Sequence, residues 1–185
     1  MKLVVTADLH GSYSTWLTIK DMLKPEDSLA VAGDLFGTRY PRLGEFDYQP
    51  ERILKEISEL KNPFYFVYGN CDSKVFSSGY KDSLVFDFMG FRIFIHHGDK
   101  YLRQIPPEIL PEDVNLVIQG HTHVFSLEKK VYIRNPDNNS KITFLNPGSL
   151  AYPRTPFYTY AVVDSNGINI IDIKTATSLK SISTI

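Results

Sequence analysis

The sequence predicts an α/β (α+β) domain in which two β-sheets pack together with helices outside. Three observations lead there. Short apolar runs rich in β-branched residues alternate with helix-period segments through the first half. The second half is a series of strand-length runs joined by turn residues. The chain has 185 residues, 43% hydrophobic and 22% charged, which suits one domain over 1–185 with a sizeable core.

Residues 3–7 read as a buried strand. Ser12 or Ser14 can cap a helix carrying Trp16, Leu17, Ile19, Met22 and Leu23, with Pro25 ending it. Residues 29–32 form the next strand, followed by a loop over 35–49 rich in Gly, Pro and aromatics. Pro50 suits the first position of a helix bearing Ile53, Leu54, Ile57 and Leu60. Residues 64–68 are a third strand, and strands separated by helices imply parallel pairing. Residues 84–89 and 91–96 read as a hairpin about Gly90. A turn or short helix over 106–111 precedes a strand at 114–119. Runs 131–134 and 142–145 flank the polar turn 135–139, and 158–164 and 168–173 flank Asn166-Gly167, a strong hairpin signal. The C-terminal part therefore reads as mostly antiparallel.

Composition excludes several function classes. Twenty Lys+Arg against 21 Asp+Glu give a net charge of -1, so there is no bulk positive field for nucleic acid. No apolar stretch approaches a membrane span, and the N-terminus lacks the long apolar run of a signal peptide. A single cysteine cannot form a disulfide within the chain. These point to a cytoplasmic protein.

Five apolar runs each end in a potential metal ligand: Asp8 and His10, Asp34, Asn70, His96 and His97, and His121 and His123. All five histidines fall in these segments. Ligands bind at the carboxyl ends of strands in open α/β sheets, so these ends are expected to converge on one crevice. Histidine and carboxylate together suit Mn, Fe, Zn or Co better than Ca. About seven ligands are too many for one tetrahedral ion and fit two ions bridged by a carboxylate. Gly33, Gly69, Gly98 and Gly120 adjoin the ligands and permit tight turns.

The series Asp8-Leu9-His10, Gly33-Asp34, Gly69-Asn70-Cys71-Asp72, His97-Gly98 and Gly120-His121-Thr122-His123 resembles the calcineurin-like metallophosphoesterase superfamily. The Gly-Asn-Cys-Asp form and Asn146-Pro147-Gly148-Ser149 resemble its small YfcE-like phosphodiesterase branch. The resemblance implies a four-layer αββα sandwich, two packed mixed β-sheets flanked by helices. It also implies that Asp8, His10, Asp34 and His123 hold one ion and that Asp34, Asn70, His97 and His121 hold the other. Asp34, Asn70 and His97 are the implied catalytic residues. The cofactor would be two divalent ions, Mn first, with Ni, Co, Fe or Zn as alternatives. The implied activity is hydrolysis of small phosphodiesters by metal-activated hydroxide. A phosphomonoesterase or cyclic-nucleotide hydrolase, or a silent scaffold like the retromer subunit of this fold, are the alternatives. His97, next to Gly98, is the ligand and His96 its neighbour.

One position departs from most of the superfamily, where histidine follows the metal-binding asparagine. Here Cys71 stands there, and a thiol is a poorer proton donor near neutral pH. Cys71 and Arg39 are the expected substrate contacts, with Arg42 beside Arg39 in the same loop. Asp72 reads as an orienting or turn residue, and the segment 146–149 as a turn near the metals or a plain loop. Tyr13, Phe36, Tyr40, Phe46 and Tyr48 fit a nucleobase platform, core packing or a subunit interface, so a homodimer or higher oligomer is expected. Lys129, Lys130 and Arg134 read as a solvated strand face.

Overall fold

Two mixed sheets lie face to face in the computed structural model. It describes residues 1–39, 46–73, 76, 78–101, 105–106, 108–135 and 138–183, with backbone only at 133–135 and 138–139. In chain order the elements are β1 (Leu3–Thr6), α1 (Tyr13–Met22), β2 (Ser28–Ala32), α2 (Pro50–Ser58), β3 (Phe64–Val67), β4 (Ser83–Phe88), β5 (Phe91–His96), β6 (Leu116–Ile118), β7 (Ser126–Asn135), β8 (Asn138–Asn146), β9 (Thr159–Asp164), β10 (Gly167–Asp172) and β11 (Thr177–Ser183). One sheet has the order β11-β10-β9-β1-β2-β3 and the other β4-β5-β6-β8-β7.

The crossovers through α1 and α2 leave β1, β2 and β3 parallel, as their β-α-β spacing requires. Ser12 caps α1, its hydroxyl accepting from the Thr15 amide, and Pro50 opens α2. Trp16, Ile19 and Ile53 are fully buried against Leu29, Val31 and Phe66 on the outer face of the first sheet. The Glu56 carboxylate joins the two helices by accepting from Tyr13 Oη at 2.5 Å, Trp16 Nε1 at 3.0 Å and Lys20 Nζ at 2.7 Å.

Between the sheets, Val5, Ala30, Ile93, Ile95, Leu116, Ile118, Leu145 and Ala161 are all 0% exposed. Each large aliphatic buried there contributes roughly 1.5–3 kcal/mol of transfer free energy. Outside the second sheet, Ile105, Leu110 and Val114 cover Phe94, Val117 and Ile142. The described residues of that covering segment form turns rather than a helix. The fold is thus the expected sandwich of two packed sheets, with helices dominating one outer layer.

The second sheet is mixed, as expected, with parallel pairs β5–β6 and β6–β8 and antiparallel pairs β4–β5 and β7–β8. Two details differ from the sequence reading. The β7–β8 hairpin is longer than expected, its strands closing to Asn135 opposite Asn138. Strand β11 was not expected at all. Its partly buried Leu179 and Ile182 stand three apart because the pairing shifts register at Ile170/Ile171, which breaks the period-two pattern. The β4–β5 hairpin is as expected: Met89 and Gly90 take φ of 47° and 85°, the left-handed pair of a type I′ turn. No helix among the described residues is long and apolar enough to cross a membrane.

Candidate metal centre

The carboxyl ends of β1, β2, β3, β5 and β6 meet at one edge of the sandwich. Backbone hydrogen bonds join them. The Asp8 amide donates to Gly33 O at 3.0 Å, His10 to Asp34 O at 2.8 Å, and Gly120 to His97 O at 2.8 Å. Across the two sheets, the His121 amide donates to the Asp8 carboxylate at 3.0 and 3.2 Å. Gly120 is required at this seam. A Cβ there would lie 2.6 Å from Ala7 Cβ, 2.7 Å from Ala32 O and 3.0 Å from Asp8 Oδ2.

All seven expected ligands are brought together. His123 Nε2 lies 3.5 Å from Asp8 Oδ1 and 3.2 Å from His10 Nε2. Asn70 Oδ1 lies 3.2 Å from His97 Nε2 and 2.9 Å from His121 Nδ1, and those two nitrogens are 3.3 Å apart. Asp34 Oδ2 stands between the two sets, 4.0 Å from His10 Nε2 and 3.4 Å from His97 Nε2. Donor atoms about 2.1 Å from one ion stand roughly 3.0–3.4 Å apart, so most of these spacings match shared coordination. Asp8, His10 and His123 form one group able to hold a cation, and Asp8, Asp34 and His97 another.

The tautomers strengthen this. His10, His97 and His123 each turn Nδ1 to a main-chain carbonyl: Gly37 O at 2.8 Å, Ala32 O at 2.9 Å and Tyr152 O at 2.6 Å. A carbonyl only accepts, so each Nδ1 carries hydrogen, and Nε2 of each ring points into the cluster. The neutral rings of His10 and His123 thereby aim two lone pairs at each other across 3.2 Å. That arrangement is repulsive without a cation and favourable with one.

Burial sets the protons. It pushes the Asp8 carboxyl up to about 8, against the pull of the His97 charge. Burial also opposes ionisation of Asp34 and His97. Their mutual hydrogen bond and charge prevail, bringing Asp34 down to about 2 and His97 up to about 9. Burial lowers His10 and His121, and takes His123 down to about 4.

The backbone carries a mark of function. Asp8, His10, Asp34, His121 and His123 take positive φ of 57°, 52°, 50°, 70° and 59°. Such left-handed conformations cost of the order of 1–3 kcal/mol each and persist only where surrounding contacts enforce them. The segment 146–149 supplies several of those contacts. Ser149 Oγ donates to Asp8 O at 2.8 Å and accepts from the Ala151 and Tyr152 amides at 3.2 and 2.9 Å. Asn146 Nδ2 donates to Gly120 O at 2.9 Å and Thr122 Oγ1 at 3.1 Å. It is a built turn and not a plain loop. Asp72 also orients: its carboxylate accepts from the Phe36, Gly37 and Gly69 amides at 2.8, 3.3 and 2.8 Å, tying the Asp34 loop to the Asn70 loop.

The cluster opens into a cleft of about 460 Å³ lined by His10, Asp34, Arg39, Asn70, Cys71, His121, Thr122, His123 and Arg154. Arg39 and Cys71 sit there as expected. Cys71 donates its amide to Asp34 Oδ1 at 2.8 Å, and burial pushes its thiol up to about 12. Arg154 is a site residue that the motif reading missed. A signal existed, since it is the only charged residue between Lys141 and Asp164. Arg42 and Tyr40 lie outside the described residues. His96 turns away from the cluster toward Tyr101, ring centroids 5.8 Å apart, which leaves His97 as the inward donor. Among the described residues the aromatic platform is not assembled. Phe36 is fully buried and packs on Phe66 and Phe76, and Tyr13 is 7% exposed in the helix layer. Among the described members of that set only Phe46 is almost fully exposed, at 92%, with Tyr48 at 38%. Lys129 and Lys130 are exposed on β7 as expected.

The sequence model of the calcineurin-like phosphoesterase superfamily domain matches residues 1–167. The chain belongs to that superfamily. Among solved structures, Yfce, a phosphoesterase from E. coli, is 24% identical over 99% of both chains with a TM-score of 0.74. Vps29 from Chaetomium thermophilum is 17% identical, covering 100% of this chain and 96% of its own, with a TM-score of 0.62. An archaeal phosphodiesterase is 18% identical over 100% of both chains with a TM-score of 0.53. At these identities the likeness establishes the shared fold. No curated protein matches the chain at a significant level. Within this superfamily the Asp and His groups described above are of a kind that can hold divalent metal.

Proposed function

We propose that this superfamily member is a phosphodiesterase that works with two divalent cations and hydrolyses small phosphodiesters. The observation that carries the reading is the position of Asp34 Oδ2 between the imidazoles of His10 and His97, which supports a bridging role. Asp8, His10, Asp34 and His123 would hold one ion; Asp34, Asn70, His97 and His121 the other. The mixed imidazole, carboxylate and amide set suits Mn first, with Ni, Co, Fe or Zn as alternatives. Such a pair supplies charge neutralisation at the phosphoryl group and acidifies a water for attack.

The chain's own groups do the rest. The Cys71 amide holds Asp34 Oδ1, fixing the carboxylate so that Oδ2 faces both histidine sets. Nδ1 hydrogen bonds fix the planes of His10, His97 and His123. Arg39 and Arg154 draw an anion into the cleft. The cleft suits a small substrate, and the near-neutral chain offers no field for a long polyanion. Membership of a phosphoesterase superfamily supports hydrolysis, and the archaeal relative of the same fold is described as a phosphodiesterase. A cytoplasmic setting, in which Cys71 stays a thiol, accords with the reading.

The test is hydrolysis of bis(p-nitrophenyl) phosphate by chelator-treated protein with and without added Mn, Ni, Co, Zn or Mg. Metal-dependent turnover that Asp34→Asn abolishes is expected. No turnover with any metal would overturn the reading in favour of a non-catalytic scaffold.

A further inference from the structure

Tyr152 belongs to none of the sequence motifs, yet it touches two of the proposed ligands at once. Its carbonyl accepts from His123 Nδ1 at 2.6 Å. Its ring stands against the His10 ring, with centroids 5.5 Å apart and an interplanar angle of 78°. Near-perpendicular aromatic pairs at such distances attract each other beyond the area they bury. The Tyr152 amide donates to Ser149 Oγ at 2.9 Å, and the same hydroxyl donates to Asp8 O at 2.8 Å. The turn 149–152 therefore reaches Asp8, His10 and His123, which are the three donors of one group able to hold a cation.

Those donors need holding. The His10 and His123 rings stack with centroids 5.1 Å apart and bring their Nε2 atoms within 3.2 Å of each other. Each ring spends its Nδ1 hydrogen on a carbonyl, so the Nε2 lone pairs face each other and push the rings apart until a cation comes between them. Gly37 O anchors His10, and Tyr152 O anchors His123. A bond at one nitrogen still lets an imidazole tilt about that nitrogen, and the Tyr152 ring is a wall against such a tilt of His10. The other proposed ligands are held from elsewhere. Ala32 O fixes His97, the Cys71 amide fixes Asp34, and His97 and His121 meet at Asn70 Oδ1.

We propose that Tyr152 is a positioning residue for one cation of the pair. It holds His10 and His123 at a coordinating separation, so the ion of Asp8, His10 and His123 depends on it and the ion of Asn70, His97 and His121 does not. This rests on the two-cation reading above. Partners that orient metal-bound imidazoles are worth about 10–100-fold in affinity. One aromatic contact of this kind is worth about two- to tenfold. The two ranges meet at about tenfold, which is the loss expected when the Tyr152 ring is removed.

The experiment is calorimetric titration of chelator-treated protein with Mn, which resolves the binding step of each ion. His123→Ala and Asn70→Ala mark which step belongs to which ion. Tyr152→Ala should weaken by about tenfold the step that His123→Ala abolishes and leave the step that Asn70→Ala abolishes nearly unchanged. Tyr152→Phe keeps the ring and the carbonyl and should bind both ions as the wild type does. Tyr152→Leu fills much of the same space without a ring and should weaken the same single step, which keeps the test open where the alanine variant does not fold. Electron paramagnetic resonance gives a second readout apart from turnover. At limiting Mn the coupled spectrum of a bridged pair should persist in Tyr152→Phe and give way to that of isolated ions in Tyr152→Ala. Weakening of neither step, or equal weakening of both, would overturn this proposal and leave the two-cation reading standing. A wild-type protein that takes up fewer than two ions would overturn both.

Discussion

Loading the centre with metal should expel protons, and the number follows from the geometry. In the metal-free chain burial holds a proton on Asp8 up to about pH 8, and Asp34 holds one on His97 up to about pH 9. The other three cluster imidazoles are lowered by burial and are neutral at pH 7. Both protonated groups must be bare to ligate, so binding at pH 7 should release about two protons per chain. Affinity should then rise about 100-fold per pH unit near pH 7 and level off above pH 9. Titration calorimetry in buffers of different ionisation heat counts the protons directly. Stability carries the same signature. Asp8 is protonated to about pH 8 when folded but only to about 3.8 when unfolded, so its favourable contribution is lost as pH rises toward 8. His97 adds to that loss between 6.5 and about 9. His96 and His123, lowered to about 4, act oppositely, their contribution appearing as pH rises from 4 to 6.5. The metal-free protein should therefore be most stable near neutrality and melt at falling temperature from pH 6.5 to 9. The metal-loaded protein should not. Metal binding without proton release, or a metal-free melting temperature that climbs over that range, would show that Asp8 and His97 do not carry those protons.

Substitutions give independent checks. Ser149→Ala removes the donor to Asp8 O and the acceptor of two amides in a fully buried position, and should cost about 2–3 kcal/mol in urea unfolding and weaken metal binding. Gly120→Ala forces a Cβ against Ala7, Ala32 O and Asp8, so metal-dependent turnover should be lost even where the chain still folds by circular dichroism. Ala176→Gly relieves an exposed left-handed residue (φ 54°) in the β10–β11 connection, remote from the cluster. It should raise stability by about 1 kcal/mol with activity unchanged.

Much of the site is legible in the sequence because strand ends and ligands coincide. The runs before Asp8, Asp34, Asn70, His97 and His121 are short, apolar and punctuated by glycine, and each becomes a strand whose end enters the cluster. Convergence itself depends on topology. The parallel placement of β5 and β6 beside the Asp8 loop is set by pairings between residues far apart in sequence, such as Ile93 with Leu116. Left-handed φ at five of the proposed ligands is invisible to periodicity, since Asp and His carry no mark of the backbone they will adopt. Arg154 escaped because it belongs to no motif and acts through its place in a loop that the His123 carbonyl anchors. Phe36 and Tyr13 were ambiguous for the opposite reason. An aromatic near a site looks the same in sequence whether it faces the ligand or, as here, the core.

Stepwise reconstitution with metal separates a one-ion from a two-ion centre. Chelator-stripped protein is titrated with Mn while bound metal and hydrolysis of bis(p-nitrophenyl) phosphate are followed together. The proposed bridging role of Asp34, whose Oδ2 lies between His10 and His97, predicts activity that rises to a plateau at about two ions per chain. A plateau at one ion, or full binding without turnover, would contradict it.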